Sequence, residues 1–229
     1  MLSEPATIAT HRNLVRERIM DSQGGFAFVV SGPSGVGKTS ICEAVIEECP
    51  DVAPCVTTTT RPIREAEVDG VDYHFVDEGA FEEGVERGAY MEHATVYGYR
   101  YGATIDAVIE VFEHARILLV DVDVQGARTW RHLLEDCCVS LFVLPPSMEE
   151  LSKRLSNRGS EGEASLKMRT ERAHREMEHA SDYDYVILNR RLEDAVNEVK
   201  CVLTAEGSRT ERNTWTFRAL GLHESDRGE

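Results

Sequence analysis

The stretch VVSGPSGVGKTSI, residues 29–41, contains the pattern G-x-x-x-x-G-K-[ST] of a phosphate-binding loop, the P-loop. The preceding segment FAFVVS (26–31) is a short apolar run that predicts a buried strand. The following segment KTSICEAVIEEC (38–49) has apolar residues at helical spacing. Because strand, loop and helix occur in the order that a P-loop requires, a glycine-rich turn that binds nothing is the weaker interpretation.

The residue types of this loop suit the phosphates of a nucleoside triphosphate. Its glycines let successive backbone N–H groups form a nest for anionic oxygens, and the helix N-terminus adds its positive dipole end. Lys38 would place a positive charge on the β and γ phosphates, and the Thr39 hydroxyl would ligate Mg²⁺. The predicted triphosphate site consists of Gly32, Pro33, Ser34, Gly35, Val36, Gly37, Lys38 and Thr39.

Composition limits the other functions that the chain could have. A formal net charge of −16 argues against a nucleic-acid partner, which normally needs a basic face. No window of about 18 apolar residues occurs and the N-terminus lacks the apolar centre of a secretory signal, so we expect no membrane span and a cytoplasmic location. The six cysteines form no C-x-x-C pair, which favours reduced structural thiols.

From residue 26 onward, apolar strand segments alternate with helical patterns. This alternation predicts an α/β fold in which a parallel sheet is flanked by helices and binds ligands at the carboxyl ends of its strands. The predicted strands are 26–31, 116–122, 138–144 and 185–189, and the predicted helices are 38–49, 105–114, 125–135, 147–158, 163–180 and 191–204.

Four segments stand apart from this core. Residues 57–104 are polar, rich in Tyr and Gly, and include a predicted hairpin, so they are long enough for a substrate-binding insert. The glycine-containing stretch RGSEGEA lies between two helices that carry arginines, which predicts a mobile lid at about 154–172. We expect residues 1–24 to form a loosely attached arm or a short helix outside the core, and 205–229 a flexible tail.

Two arginines at the start of the insert suit a phosphate group. Arg61 and Arg64 lie three residues apart, and two converging guanidinium groups would bind a phosphate dianion through planar, bidentate contacts. The alternative is that they form solvated surface pairs with Glu65 and Glu67. Two tyrosines of the insert would add neutral O–H donors: Tyr73 and Tyr101.

Seven segments together resemble the guanylate kinase family, in its order and at its intervals. They are SGPSGVGKT, TTTTRPIRE, EVDGVDYHFV, YMEHATVYGYRYG, LLVDVDVQGAR, LFVLPPSMEELSKRLSNRG and YDYVILN, and the resemblance runs from about residue 26 to 204. It implies a P-loop NTPase fold in which a domain at 25–204 carries a GMP-binding insert and a mobile lid. It also implies transfer of the γ-phosphoryl group of ATP to GMP, and to dGMP, with Mg²⁺ as cofactor.

The resemblance implies roles for the residues of the acceptor site. Glu92 matches the carboxylate that reads the guanine edge, and Thr57 matches a hydroxyl that supports it. Guanine presents N1–H and its amino group side by side, whereas adenine presents a bare acceptor at N1, so a carboxylate selects guanine. The residues that match the GMP phosphate site are Arg61, Arg64, Tyr73 and Tyr101.

The remaining carried-over residues concern catalysis and the donor. Asp121 and Asp123 match an acidic pair that positions the acceptor and, for Asp121, holds the metal through water, although we expect at least one of the two to be structural. Arg158 and Arg169 match lid arginines that reach the transferring phosphate. Arg158 would also stack on adenine, and Asn189 would lie on the adenine side. The residues assigned to catalysis are thus Lys38, Asp121, Asp123, Arg158 and Arg169.

The sequence also departs from the family pattern. Pro62 follows the first arginine instead of preceding the second, and Ala66 stands where glycine is common. Ala103 replaces the Ser or Thr hydroxyl that helps to hold guanine, and the adjacent Thr104 would point elsewhere on an extended strand. Two alternatives therefore stay open: a related P-loop kinase with another phosphate monoester as acceptor, and a non-catalytic binding module. The intact Lys38 argues against the module.

Overall fold

The computed structural model of the chain describes residues 6–96, 98–157 and 163–222, in which strands and helices alternate. The strands are β1 (Phe26–Ser31), β2 (Val52–Pro54), β3 (Thr58–Thr59), β4 (His74–Phe75), β5 (Tyr90–Val96), β6 (Tyr99–Thr104), β7 (Ile117–Asp121), β8 (Cys138–Leu144) and β9 (Tyr185–Leu188). The helices are α1 (Ala6–Asp21), α2 (Lys38–Glu48), α3 (Glu78–Glu86), α4 (Ile105–His114), α5 (Val124–Leu134), α6 (Met148–Asn157), α7 (Glu163–Met177), α8 (Leu192–Gly207) and α9 (Thr214–Ala219).

A five-stranded parallel sheet in the order β2-β7-β1-β8-β9 forms the centre of the fold. The four predicted strands and the predicted α/β class are confirmed. The fifth strand, β2, was not predicted, because it has only three residues and ends in a proline. Val30 of β1 pairs with Asp121 of β7. The P-loop, which follows β1, therefore lies beside Asp121 at the carboxyl edge of the sheet.

The central strand β1 is buried on both faces of the sheet. Phe26 and Phe28 belong to a cluster with residues of α2, α6 and α8, whereas Ala27 and Val29 belong to a second cluster with residues of α4 and α5. Burial on both faces explains why this strand reads as a continuous apolar run without polar alternation.

Helix α1 packs on the second of these clusters. Val15 and Ile19, one helical turn apart, are fully buried in it, and Arg16 forms an ion pair with Glu135 at 2.5 Å. The expectation that residues 1–24 lie outside the core is therefore wrong for this helix. A stripe of so few apolar residues in a polar segment gives little periodic signal from which to predict burial.

The chain after residue 204 is also ordered against the core. Helix α8 continues to Gly207, and the buried Glu206 carboxylate accepts a hydrogen bond from the Tyr185 hydroxyl at 2.6 Å and pairs with Arg212 at 3.3 Å. The Arg212 guanidinium lies 4.4 Å from the ring centroid of Phe26. The expectation of a flexible tail is therefore wrong for residues 205–212.

We expect Glu206→Ala to lower the free energy of unfolding by about 3 kcal/mol, because it leaves the Arg212 charge and the Tyr185 hydroxyl without their buried partner. Urea unfolding measures the change. Arg209→Ala is the matched control, since Arg209 also pairs with Glu206 but its side chain is 56% exposed. Equal stabilities of the two variants would contradict this account of the C-terminal segment.

The insert contains a second sheet of four strands in the order β4-β3-β6-β5. Strands β5 and β6 are antiparallel neighbours, which confirms the predicted hairpin. Helix α3, capped by Asp77, was not predicted. Its Phe81 stacks on Tyr90 with ring centroids 4.5 Å apart, which fixes the helix against the hairpin.

The region predicted as a lid is described only at its two ends, α6 and α7. Arg158 lies outside the described residues. In the part of the chain that the structure describes, no helix is long and apolar enough to cross a lipid bilayer.

Candidate functional site

The backbone of the P-loop requires glycine at both ends of the pattern. Gly32 and Gly37 have φ angles of 147° and 100°, in the region that favours glycine. A Cβ atom on Gly32 would lie 2.5 Å from the Val143 carbonyl oxygen, and one on Gly37 would lie 2.5 Å from Nδ2 of Asn189. Both positions exclude a side chain, so the sequence pattern corresponds to a tightly enclosed loop.

The two polar side chains that follow the loop contact groups at the sheet edge. Nζ of Lys38 donates to the Gly32 carbonyl at 2.8 Å, and Oγ1 of Thr39 donates to Oδ2 of Asp121 at 3.0 Å. Although the Asp121 carboxylate reaches solvent, the protein packed around it raises its pKa, and Lys38 and Thr39 partly oppose this shift. The structure thus brings Lys38, Thr39 and Asp121 together.

The oxygens of Thr39 and Asp121 are hard ligands of the kind that Mg²⁺ prefers, so this pair fits the metal. Within residues 6–96, 98–157 and 163–222, no group of three or more His, Cys, Asp or Glu side chains is arranged to hold a metal ion. A metal bound here would depend on water and substrate phosphates for its other ligands, which is typical of Mg²⁺.

Asp123 caps helix α5. Its Oδ1 accepts hydrogen bonds from the backbone N–H groups of Gln125 at 3.0 Å and Gly126 at 2.9 Å, and its Oδ2 lies 3.9 Å from Nη2 of Arg172. Such a cap satisfies donors that the first turn of a helix leaves free. At least one member of the acidic pair therefore has a structural role, as expected.

Glu92 extends from β5 toward the N-terminus of α5. A Cβ atom built on Gly126 would lie 3.5 Å from Oε2 of Glu92. Burial raises the pKa of the Glu92 carboxyl group, and the nearby charge of Asp123 raises it further. Among the described residues, no donor forms a hydrogen bond with this carboxylate, so its oxygens can accept from a ligand.

Three residues near Glu92 in the sequence-based assignment, Ala103, Thr104 and Thr57, have the following surroundings in the structure. Ala103 is its cross-strand neighbour and is buried. Oγ1 of Thr104 accepts from the Ala107 N–H at 3.2 Å as the cap of α4, so it points away from Glu92 as expected for an adjacent strand position. Thr57 is half-buried, and its carbonyl accepts from the His74 N–H at 2.9 Å.

Arg61 is buried and paired, so the alternative of a solvated surface pair is wrong for this residue. Its side chain is 9% exposed, and Nη2 and Nη1 contact the two oxygens of Glu67 at 2.6 and 3.0 Å. These hydrogen bonds raise the pKa of Arg61 and lower that of Glu67. The alternative was correct that Glu67 pairs with one of these arginines, but the pair is buried and not solvated.

The other residues predicted for the acceptor phosphate lie around this pair. The Arg64 N–H donates to Oε2 of Glu67 at 2.8 Å, while the Arg64 side chain is exposed. The Arg61 guanidinium lies 5.4 Å from the Tyr73 ring centroid, and the Tyr73 and Tyr101 rings pack edge to face at 5.9 Å. The structure therefore brings the four residues together, with Arg64 the more exposed arginine.

Asn189 is buried behind the P-loop. Its Nδ2 donates to the Val36 carbonyl oxygen at 2.8 Å, and its backbone N–H donates to the Leu144 carbonyl oxygen at 2.8 Å. Its assignment to the adenine side stays a prediction.

Arg169 lies half-buried on α7. Sequence reasoning gave no role to Arg154, whose Nη1 also contacts the Val36 carbonyl at 3.3 Å.

Comparisons with known proteins agree with this arrangement. The family model described as guanylate kinase matches residues 26–206. A guanylate kinase of Clostridium perfringens (strain SM101 / Type A) is 39% identical over 195 residues, which cover 85% of this chain and 90% of the relative. A guanylate kinase of Syntrophotalea carbinolica is 42% identical over 190 residues, which cover 83% of this chain and 90% of the relative.

A solved structure shows the same similarity in three dimensions. The crystal structure of guanylate kinase from Anaplasma phagocytophilum matches with a TM-score of 0.66 and 30% identity, and the match covers 87% of this chain and 97% of that one. The match of the family model extends over most of the chain and includes both the P-loop and the insert. The chain therefore belongs to the guanylate kinase family.

Proposed function

We propose that this protein transfers the γ-phosphoryl group of MgATP to GMP, and to dGMP, and so forms ADP and the nucleoside diphosphate. Family membership supports this activity. The observation that carries it is the position of Glu92, whose carboxylate lies near Gly126 in α5, the helix that starts just beyond Asp121. The proposed base-reading carboxylate would thus lie close to the acidic residues that follow β7, beside the P-loop.

The donor site would bind ATP through the P-loop. Backbone N–H groups and the N-terminus of α2 would surround the phosphates, and Lys38 would leave the Gly32 carbonyl to contact them. Thr39 and Asp121, the latter through water, would hold Mg²⁺. When bound, the ion would neutralise charge on the phosphates.

The acceptor side would bind GMP at both ends. Glu92 would accept from N1–H and the amino group of guanine, and Thr57 would support this contact. Three of the five N–H donors of Arg61 go to Glu67 and Pro62, so Arg64 offers the less committed guanidinium to the phosphate. The hydroxyls of Tyr73 and Tyr101 would complete that phosphate site.

The reaction needs no side-chain base, because the GMP phosphate that attacks is already ionised. Catalysis then depends on holding the two phosphates in line and on neutralising the charge between them. Lys38 supplies positive charge from the P-loop side. We assign the same role to Arg158 and Arg169 from the lid region, and to Asp121 and Asp123 the positioning of the acceptor.

ATP and GMP are the proposed partners of this protein. We propose no nucleic-acid partner and a cytoplasmic location. ADP release in a coupled assay across GMP, dGMP, AMP, CMP, UMP and IMP tests the proposal. We expect turnover with GMP and dGMP and little with the pyrimidine nucleotides or AMP. Preference for another phosphate monoester would favour the related kinase, and a folded protein without turnover would favour the binding module.

Arg64→Ala should raise KM for GMP about 10- to 100-fold, because it removes one charge-assisted contact to the acceptor phosphate. KM for ATP should change little, since the donor phosphates bind elsewhere. Steady-state kinetics with each substrate varied in turn measures both values. Arg87→Ala is the control, because Arg87 is exposed on the same insert and pairs only loosely with Glu83 at 3.8 Å. A small effect on KM for GMP would show that Arg64 does not contact the GMP phosphate.

A further inference from the structure

The carbonyl group of Val36, inside the P-loop, is held by two side chains from other elements. Nδ2 of Asn189 donates to it at 2.8 Å, and Nη1 of Arg154 donates to it at 3.3 Å. Nη2 of Arg154 also donates to the Asn189 carbonyl at 3.2 Å. We call Arg154, Asn189 and the Val36 carbonyl the P-loop latch, because together they tie the loop to α6 and to the end of β9.

The latch lies directly against the residue that precedes Lys38. Val36 is fully buried and Asn189 is 6% exposed, and the amide of Asn189 fills the space that a side chain at Gly37 would need. A buried N–H group that loses its acceptor is costly, so Asn189 holds the Val36 carbonyl firmly. Arg154 reinforces this contact and is itself oriented by Glu150, whose Oε1 accepts from Nε at 3.1 Å.

The direction of this carbonyl matters for an anion in the loop. A carbonyl oxygen carries partial negative charge, so one that turned toward the phosphates would repel them, whereas N–H groups attract them. Two donors bound to the Val36 oxygen keep it directed toward the protein. The latch therefore preorganises the loop for anionic oxygens before the nucleotide binds.

We propose that Arg154 is a positioning residue for the phosphates of ATP, and that it acts through Val36 and Asn189 without contacting the nucleotide. This inference rests on the proposed ATP site at the P-loop. Within the described part of the chain, every hydrogen bond of Arg154 outside its own helix goes to the latch. Its loss should therefore weaken binding of ATP and leave binding of GMP unchanged.

Arg154→Gln tests the proposal, because glutamine is too short to reach both carbonyl groups. Arg154→Lys keeps the charge but offers no planar pair of donors, so it should give a smaller loss. Lys153→Gln is the matched control: Lys153 is the next residue, it forms the same kind of i,i+4 pair with Glu149 at 2.8 Å, and its side chain is 64% exposed.

Two measurements decide the outcome. Calorimetry with a non-hydrolysable ATP analogue and Mg²⁺ should show binding about 10-fold weaker in Arg154→Gln, and steady-state kinetics should show a similar rise in KM for ATP. KM for GMP should stay within about 2-fold of the wild-type value, as should all constants of the Lys153→Gln control. Thermal unfolding of each variant checks that the fold is retained.

Unchanged affinity for the analogue would overturn the proposal. Equal rises in both KM values, together with a lower Tm, would also overturn it, because they would indicate a purely structural role. Calorimetry needs no acceptor, so weakened analogue binding supports the latch even if the wild-type protein fails to phosphorylate GMP. If the wild-type protein fails to bind the analogue, both the ATP site and the latch are wrong.

Discussion

Lys38→Ala is expected to lower kcat by about 10³-fold or more, because it removes a positive charge that we assign to the transferring phosphoryl group. The fold should survive, since the half-buried Lys38 side chain makes only one hydrogen bond among the described residues, to the Gly32 carbonyl at 2.8 Å. Single-turnover kinetics at saturating ATP and GMP measures the loss of the chemical step separately from product release.

Lys200→Ala is the control for this experiment. Lys200 pairs at 2.7 Å with Glu48, at the other end of the helix that Lys38 begins, so its removal changes the same net charge without touching the P-loop. We expect wild-type rates for this variant. A well-folded Lys38→Ala protein with nearly normal kcat would contradict the assignment of the P-loop to the ATP phosphates.

Glu92→Gln is expected to lower kcat/KM for GMP about 10²- to 10⁴-fold. The substitution keeps the size of the side chain but turns one acceptor into a donor, which then faces a guanine N–H group. The Glu92 side chain is half-buried, and this burial raises its pKa, so water would compensate only in part for the lost bond. AMP has a bare acceptor at N1, and its low kcat/KM should stay constant or rise.

The ratio of the GMP and AMP values is therefore the informative quantity for Glu92. Glu86→Gln is the control, because Glu86 lies on the same insert and is exposed at the end of α3. Its ratio should equal that of the wild-type protein. The same ratio in Glu92→Gln would show that the carboxylate does not read guanine.

The parts of the fold that the sequence predicted well are those with local signals. Strand β8 begins and ends where its apolar run does, at Cys138 and Leu144, because a strand buried on both faces is almost wholly apolar. Its one polar residue, Ser140, is buried and donates a hydrogen bond to Asp184. The P-loop has a recognisable sequence pattern because neighbouring atoms leave no room for a side chain at Gly32 or Gly37. Among the residues of α1 whose burial the structure describes, 13–21, Val15 and Ile19 are the fully buried apolar side chains, which is too few for a recognisable period.

The buried charges that were missed depend on partners far away in the sequence. In the sequence, Glu206 and Arg212 resemble the charged residues of a solvated tail. Their burial is explained by contacts in the folded chain, of Glu206 with Tyr185 and of Arg212 with Phe26. The same holds at the site, where Arg154 is separated from its contact in the P-loop by 118 positions. Residue types can indicate that a phosphate binds, but they do not show which side chains orient the loop.

In the proposed reaction, the γ-phosphoryl group of ATP ends on GMP. The most direct measurement follows γ-labelled ATP incubated with the wild-type protein, Mg²⁺ and GMP, with separation of the labelled products over time. We predict labelled GDP in amounts equal to the ADP formed, and only slow label transfer when AMP replaces GMP. Labelled inorganic phosphate without labelled GDP, or equal transfer to AMP, would contradict the account.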